Sequence, residues 1–201
     1  MKKASLQTFL LLLWLIPLGW SEESFQPPSV TQRGAVPPGA YSLAENLSQA
    51  GALRVTPEGQ SFPGVFTDGR FSFAGLAGNA DIFVSDSGLV EGLTRTAIWF
   101  PPLEGMESTL TFHQVPRRRK LHVFFALPDT TTQQKDLLPV QFEIWMGKKN
   151  LFHTRLSTKG WQEKVLDLTL PYLLQKSYQI SFKVRMSDNQ SKDLIFYGYL
   201  Q

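Results

Sequence analysis

An antiparallel β-sandwich, jelly-roll-like in style, is the fold this sequence predicts for residues 53–201, and three observations carry the expectation. From Leu53 onward apolar and polar residues alternate with a period of two, which puts one side of each segment in a core and the other outside. Clusters of Gly, Pro, Asp and Asn break the alternation at roughly 8–12-residue intervals, the spacing of turns in sandwiches and barrels. The third observation is compositional: 201 residues at 42% hydrophobic and 18% charged suit one buried core. They do not suit a polytopic membrane protein or a disordered tail. Cysteine is absent, which excludes a disulfide scaffold, a thiolate metal site, a cysteine nucleophile and a lipid attached through an N-terminal cysteine.

The segment 1–21 reads as an address. Lys2 and Lys3 precede an apolar run from Phe9 to Trp20, Pro17 and Gly19 interrupt its end, and Gly19 and Ser21 flank Trp20. This is the pattern of a secretory signal peptide cleaved after Ser21. The rival is an uncleaved signal anchor, against which the apolar run is shorter than the roughly 20 residues that span a bilayer. The expected destination is periplasmic or extracellular. Without Lys2 and Lys3, the 20 Lys and Arg nearly balance the 17 Asp and Glu, so no general affinity for nucleic acid is expected.

Residues 22–39 carry Pro27, Pro28, Pro37 and Pro38 among Ser, Gln and Gly, and read as an extended Pro-rich linker. In residues 40–52, Leu43, Leu47 and Ala50 fall at helical spacing, Ser42 stands three before Glu45 as a cap, and Gly51 is a stop signal. That spacing predicts one short helix leading into the sandwich.

Within the sandwich, Thr109–Val115 and Lys120–Leu127 read as two strands joined by the polar turn that follows Pro116. Placing Val115 opposite Lys120 pairs Leu110 with Phe125, Phe112 with Val123 and Gln114 with Leu121, and sets His113 beside His122. Val140, Phe142, Ile144 and Met146 alternate with Gln141, Glu143 and Trp145. Gly147–Asn150 then supplies a hairpin turn, and Leu151–Leu156 returns. Tyr178, Ile180, Phe182, Val184 and Met186 alternate with Gln179, Ser181, Lys183 and Arg185, the cleanest half-buried strand in the chain. Ser187–Asp193 turns, and Leu194–Leu200 closes the domain.

Taken in order, Thr96–Pro102, Thr109–Leu127, Pro139–Gly147, Lys159-Gly-Trp161, Val165-Leu-Asp-Leu168 and Tyr178–Val184 resemble a jelly-roll carbohydrate-binding module. The similarity is to modules attached to the N-terminus of some glycoside hydrolases, with discoidin-like domains as distant relatives. It covers residues 96–201 best and 53–95 weakly. Thr67-Asp-Gly69 is similar to the Asp-Gly turn near the start of discoidin-like domains. The resemblance implies an exported, non-catalytic domain that recognises envelope or extracellular glycans.

A sugar site needs a flat aromatic face for the apolar side of a pyranose and polar side chains for its hydroxyls. Trp145 is the leading platform because it points away from Ile144 and Met146; Trp99, Trp161, Tyr197 and Tyr199 follow. The competing reading is that a sandwich buries its aromatics. Arg117 and Arg118, continued by Arg119 and Lys120, are the only dense charge run. They suit an anionic glycan, lipid headgroups or a phosphate-rich polymer, or are simply a solvated turn. The expected ligand-binding set is Trp145, Tyr197, Tyr199, Arg117 and Arg118.

No metal site or cofactor is expected. His113 and His122 would need Glu143 or His153 to complete a zinc site. Asp188, Asn189 and Asp193, with Asp68, Asp81 and Asp86, offer oxygens for a structural calcium but are also ordinary turn residues. The motifs of serine hydrolases, zinc proteases, phosphate-binding loops and dinucleotide-binding domains are missing. A pair of glycosidase carboxylates has no sequence signature. Asn46-Leu-Ser48 and Asn189-Gln-Ser191 fit the glycosylation acceptor pattern. Two function classes stay open: a glycan-binding module, and a structural or partner-binding domain of the cell envelope.

Overall fold

The alternation is realised as thirteen strands among the described residues, which in a computed structural model are 36–76, 80–129, 139–157, 160–168, 177–186 and 193–201. The strands are β1 Tyr41–Ser42, β2 Ala50–Val55, β3 Ser61–Thr67, β4 Arg70–Phe73, β5 Ile82–Val90, β6 Leu93–Trp99 and β7 Glu107–Pro116. They continue as β8 Lys120–Ala126, β9 Val140–Met146, β10 Lys149–Leu156, β11 Gln162–Asp167, β12 Ser177–Arg185 and β13 Ile195–Leu200. All described residues belong to one packed unit, Gly34–Gln201. Residues 1–35, which include the segment expected to be a signal peptide and most of the Pro-rich stretch, lie outside the described residues.

The hydrogen-bonded order is β10-β9-β12-β7-β2-β3-β4-β5-β6-β13-β8-β11, with β1 pairing to β13. This single antiparallel ribbon folds over at β3. Ser61, Phe62 and Pro63 pair with β2, whereas Gly64–Thr67 pair with β4. Pro63 has no N–H for a ladder, which suits a residue where pairing changes hands. A Cβ on Gly64 would sit 2.9 Å from the Ala52 Cβ and 3.0 Å from the Phe73 ring, so the corner closes only over glycine. The β3–β4 turn uses Asp68 and Gly69 at φ 50° and 80°, the positive-φ pair that matches the twist of a hairpin. The ribbon thus makes a front sheet, β10-β9-β12-β7-β2-β3, and a back sheet, β3-β4-β5-β6-β13-β8-β11. At the far edges the Lys164 ammonium of β11 lies 5.2 Å from the Phe152 ring of β10, nearly closing the structure into a barrel.

The core fills the space between the sheets. Val140, Phe142, Ile144 and Met146 of β9 and Tyr178, Ile180, Phe182 and Val184 of β12 are all buried, as their alternation predicts. They meet the back sheet through aromatic contacts: Phe142 is 5.1 Å from Phe125, and Phe182 is 4.7 Å from Phe196. The back sheet is apolar on both sides. Phe196 and Leu200 of β13 face the main core, while Ile195, Tyr197 and Tyr199 form a second cluster on the outer side with Phe124 and Ala126.

Among the described residues, one charged side chain is buried in the core. Arg54 of β2 is fully inaccessible and donates to the Pro101 carbonyl (3.0 Å), the Ala80 carbonyl (2.5 Å) and the Ser108 hydroxyl (2.5 Å). Its guanidinium also lies 4.7 Å from the Phe73 ring. Burial lowers its pKa to about 10, which the nearby Asp81 partly opposes, so it is charged at neutral pH. Three separate loops and strands are tied to one side chain, whose removal would strand two carbonyls in the interior.

Three expectations are corrected. In the segment 40–52 the only helical element is a single 3₁₀ turn, Leu47–Gln49. Ser42 does accept from the Glu45 N–H at 3.4 Å, but Ala50 and Gly51 already pair with β7, and the ladder takes backbone groups a longer helix would need. The expected pairing of Thr109–Val115 with Lys120–Leu127 does not form. β7 pairs with β12 and β2 in the front sheet, and β8 with β13 and β11 in the back sheet. Residues 117–119 carry the chain from one sheet to the other, because both strands have an apolar face that packs on the same core from opposite sides. His113 and His122 are therefore not cross-strand neighbours, and the zinc pairing built on them falls. The β9–β10 hairpin forms as expected around Gly147 and Lys148.

Candidate functional site

The outer face of the front sheet is set by strand register. One row across it holds Asn150, Trp145, Ser181, Thr111 and Gly51; the next holds His153, Glu143, Lys183, Thr109 and Leu53; a third holds Arg155, Gln141, Arg185, Glu107 and Val55. Trp145 is thus an aromatic on a face otherwise composed mainly of hydroxyls, amides and charges.

Two neighbours fix the indole. Its Nε1–H donates to Glu143 Oε2 at 2.6 Å, and the Lys183 ammonium lies 5.1 Å from the ring centroid. The residues two apart on β9 point the same way, so the Glu143 bond is a direct product of the strand period. Lys183 is itself held by Glu107 Oε1 at 2.9 Å, and Arg185 donates to Glu107 Oε2. Burial pushes the Glu107 carboxyl up, but the hydrogen bonds and charges of Lys183 and Arg185 outweigh it and hold the group below the usual carboxylate range. Glu107 is therefore ionised at neutral pH. Thr111 and Ser181 share a hydroxyl–hydroxyl bond of 3.0 Å beside the indole. On the other side of Thr111, His113 lies against Gly51, where any Cβ would come within 2.9 Å of its Nε2.

Two hollows flank this face. One, of 530 Å³, is lined by His113, Met146, Gly147, Lys148, Ser177, Tyr178 and Gln179. The other, of 390 Å³, is lined by Val55, Thr56, Pro57, Gly105, Met106, Glu107, Arg185 and Met186. The row of Arg185 and Glu107 stands four residues along the strands from the row of Trp145, about 13 Å.

The remaining expected site residues lie elsewhere. Tyr197 and Tyr199 are on the outer side of the back sheet, only 5% and 8% exposed. Tyr197 stacks on Phe124 at 4.7 Å, and Tyr199 on His122 at 4.8 Å. Trp161 packs edge-on against Tyr197, and the Arg95 guanidinium lies 5.5 Å from the same ring. Burial pushes the Tyr197 phenol far above its usual range. Trp99 stacks on Phe83, and Asp193 accepts a hydrogen bond from it. Arg117 and Arg118 are exposed in the connection between β7 and β8. The structure therefore does not gather the five expected ligand residues into one place.

The oxygens considered for calcium are also dispersed. Asp81 pairs with Arg70 at 3.8 Å, and Asp86 accepts from Thr96 Oγ1 at 2.6 Å. Asp188 and Asn189 lie outside the described residues, among which no cluster of three His, Asp or Glu is placed to hold a metal. The acceptor amide of Asn46 donates to the Ser42 carbonyl at 2.7 Å. Glu107, Lys183 and Arg185 escaped sequence reasoning. Lys183 and Arg185 are visible as polar positions of β12, but nothing local shows that Glu107, far away in sequence, stands opposite them.

Neither the family models nor the curated proteins contain a match to this chain. Solved structures similar to it include carbohydrate-binding modules. A structure of CBM51-2 with GlcNAc and INT domains from Clostridium perfringens ZmpB is 14% identical over 56% of this chain and 24% of that chain, with a TM-score of 0.40. The present chain therefore spans about a quarter of that one. The xylan-binding module CBM15 is 8% identical, with 81% and 97% covered and a TM-score of 0.39. An adhesin domain of Lys-gingipain is 13% identical, with 60% and 82% covered and a TM-score of 0.41. At such scores the β-sandwich assignment rests on the strand topology itself.

Proposed function

We propose that this is an exported domain that binds envelope or extracellular glycans on the outer face of the front sheet, with Trp145 as the stacking platform. The observation that carries the reading is the fixed indole on a polar face. Glu143 holds its N–H, Lys183 sits over its ring, and the hydroxyls of Thr111 and Ser181 lie beside it. A pyranose has an apolar face and a rim of hydroxyls, so its binding calls for an aromatic surface surrounded by donors and acceptors of both kinds. Fixing the ring before the ligand arrives lowers the ordering cost of binding. Tyr197 and Tyr199 have no part in this platform, since their rings are stacked within the back sheet.

Stacking on one indole contributes on the order of 1 kcal/mol beyond area burial, so affinity for a single sugar is weak and builds with chain length. The test is calorimetric titration of soluble oligosaccharides against the wild type and Trp145→Ala, with far-ultraviolet spectra to verify folding. Binding that disappears with the indole supports the proposal. Binding that survives its loss, or silence across glycans at millimolar concentration, overturns it.

A further inference from the structure

We infer that the 390 Å³ cavity at the end of the front face receives the acetamido group of an N-acetylated sugar whose chain also lies on Trp145. The inference rests on the glycan reading above and adds the class of sugar. A volume of 390 Å³ lies at the lower end of the range that holds small ligands.

Its walls are chemically divided. Val55, Pro57, Met106 and Met186 give it an apolar side, and Glu107 and Arg185 a charged one. A hydroxyl alone would leave the apolar wall against water. An alkyl group alone would strip water from the ion pair with nothing in return. A carboxylate or sulfate would meet Glu107, which Lys183 and Arg185 keep ionised, and a free amine would add a third cation to a carboxylate that already holds two. An acetamido group meets both walls. Its methyl packs on the methionines, which adapt readily to such a group. Its N–H donates to a carboxylate that can accept about four hydrogen bonds, and its carbonyl accepts from a guanidinium with about five donors.

Spare capacity is present on both partners. Glu107 Oε1 accepts from Lys183 and, at 3.4 Å, from Thr109 Oγ1, and Oε2 accepts from Arg185, which fills three of about four acceptor places, and the Arg185 side chain is 51% exposed. Lys183 bridges the two features, its ammonium 2.9 Å from Glu107 Oε1 and 5.1 Å from the Trp145 ring centroid, so the charged wall of the cavity is within reach of a sugar residue adjoining the one on the indole. The inference concerns an oligosaccharide with one residue on the indole and a neighbouring acetamido group in the cavity.

The experiment compares two trisaccharides with the same β-1,4 backbone, triacetylchitotriose and cellotriose, by calorimetric titration of the full chain. The acetylated sugar is expected to bind at least about tenfold more tightly, a difference of about 1.4 kcal/mol. Met106→Ser should reduce that preference, and Met106→Leu should retain it. Trp145→Ala should weaken both sugars together. Fully deacetylated chitotriose should bind no better than cellotriose. Equal affinity for the two trisaccharides, or a preference untouched by Met106→Ser in a folded protein, overturns the cavity assignment and leaves the glycan reading standing. If neither sugar nor any other glycan binds, both readings fall.

Discussion

The two outer faces of this sandwich use aromatic side chains in opposite ways. On the back sheet Tyr197, Tyr199, Phe124, His122 and Trp161 pack ring against ring, with Trp99 beside them stacked on Phe83, and Tyr197, Tyr199 and Phe124 are left buried. On the front sheet Trp145 stands among Glu143, Lys183, Ser181 and Asn150, and its contacts are a hydrogen bond and a cation. Aromatic number alone would place the binding site on the back sheet. Rings that satisfy each other become a second core, whereas an isolated ring among polar groups keeps area for a ligand.

The comparison can be broken at several points, beginning with stability. Tyr197→Ala should behave as a core truncation and cost on the order of 3 to 5 kcal/mol by urea denaturation, with glycan affinity unchanged. A Tyr197→Ala protein of wild-type stability would mean that the back face is not a second core. Phe182→Ala, in the main core, should fall in the same range, while its outward neighbour in Lys183→Ala should cost less than about 1 kcal/mol.

Trp145→Ala should reverse that pattern. Glycan affinity should fall by about tenfold or more, with a stability change smaller than that of Tyr197→Ala. Calorimetry and denaturation on the same preparations decide it. Lys183→Met is the finer cut: it keeps the stem over the indole but removes the charge that links Trp145 to Glu107. Affinity should drop only a few-fold, on the order of 0.5–1 kcal/mol, the scale of a cation–π contact at an exposed site.

The smallest expected effect is a pH dependence. The Glu107 carboxyl has a folded-state pKa below its ordinary value, so its ion pairs contribute stability that is fully present above the ordinary Glu pKa of about 4.3. That contribution is lost as the pH falls through the depressed folded value. The stability gap between wild type and Glu107→Gln should accordingly be constant from pH 7 to about 5 and narrow below about 4. A gap that stays constant down to pH 2 would show that the pairing with Lys183 and Arg185 does not act through the carboxylate charge.

The sequence by itself determined which side of each strand is buried. The alternations of β9 and β12 name their core residues one by one, and the same period places Trp145 on the side opposite Ile144 and Met146, because side-chain direction is fixed by backbone geometry within a few residues. Turn chemistry was equally local, as the Asp68-Gly69 and Gly147-Lys148 hairpins show. What alternation cannot encode is which strand lies alongside. β7 and β8 turn apolar faces to one core, and a side-by-side pair and a pair across the core have the same pattern; only burial of every other strand chose the second. For the same reason Tyr197 and Trp145 look alike in sequence, each an aromatic opposite a core residue. β13 happens to lie centrally, beside β8 with its Phe124 and within reach of Trp161, so Tyr197 is covered. β9 lies beside β12 with Ser181 and Lys183, so Trp145 meets polar groups instead. Neighbours contributed from distant parts of the chain decide whether a ring becomes core or surface, and only the tertiary structure brings them together.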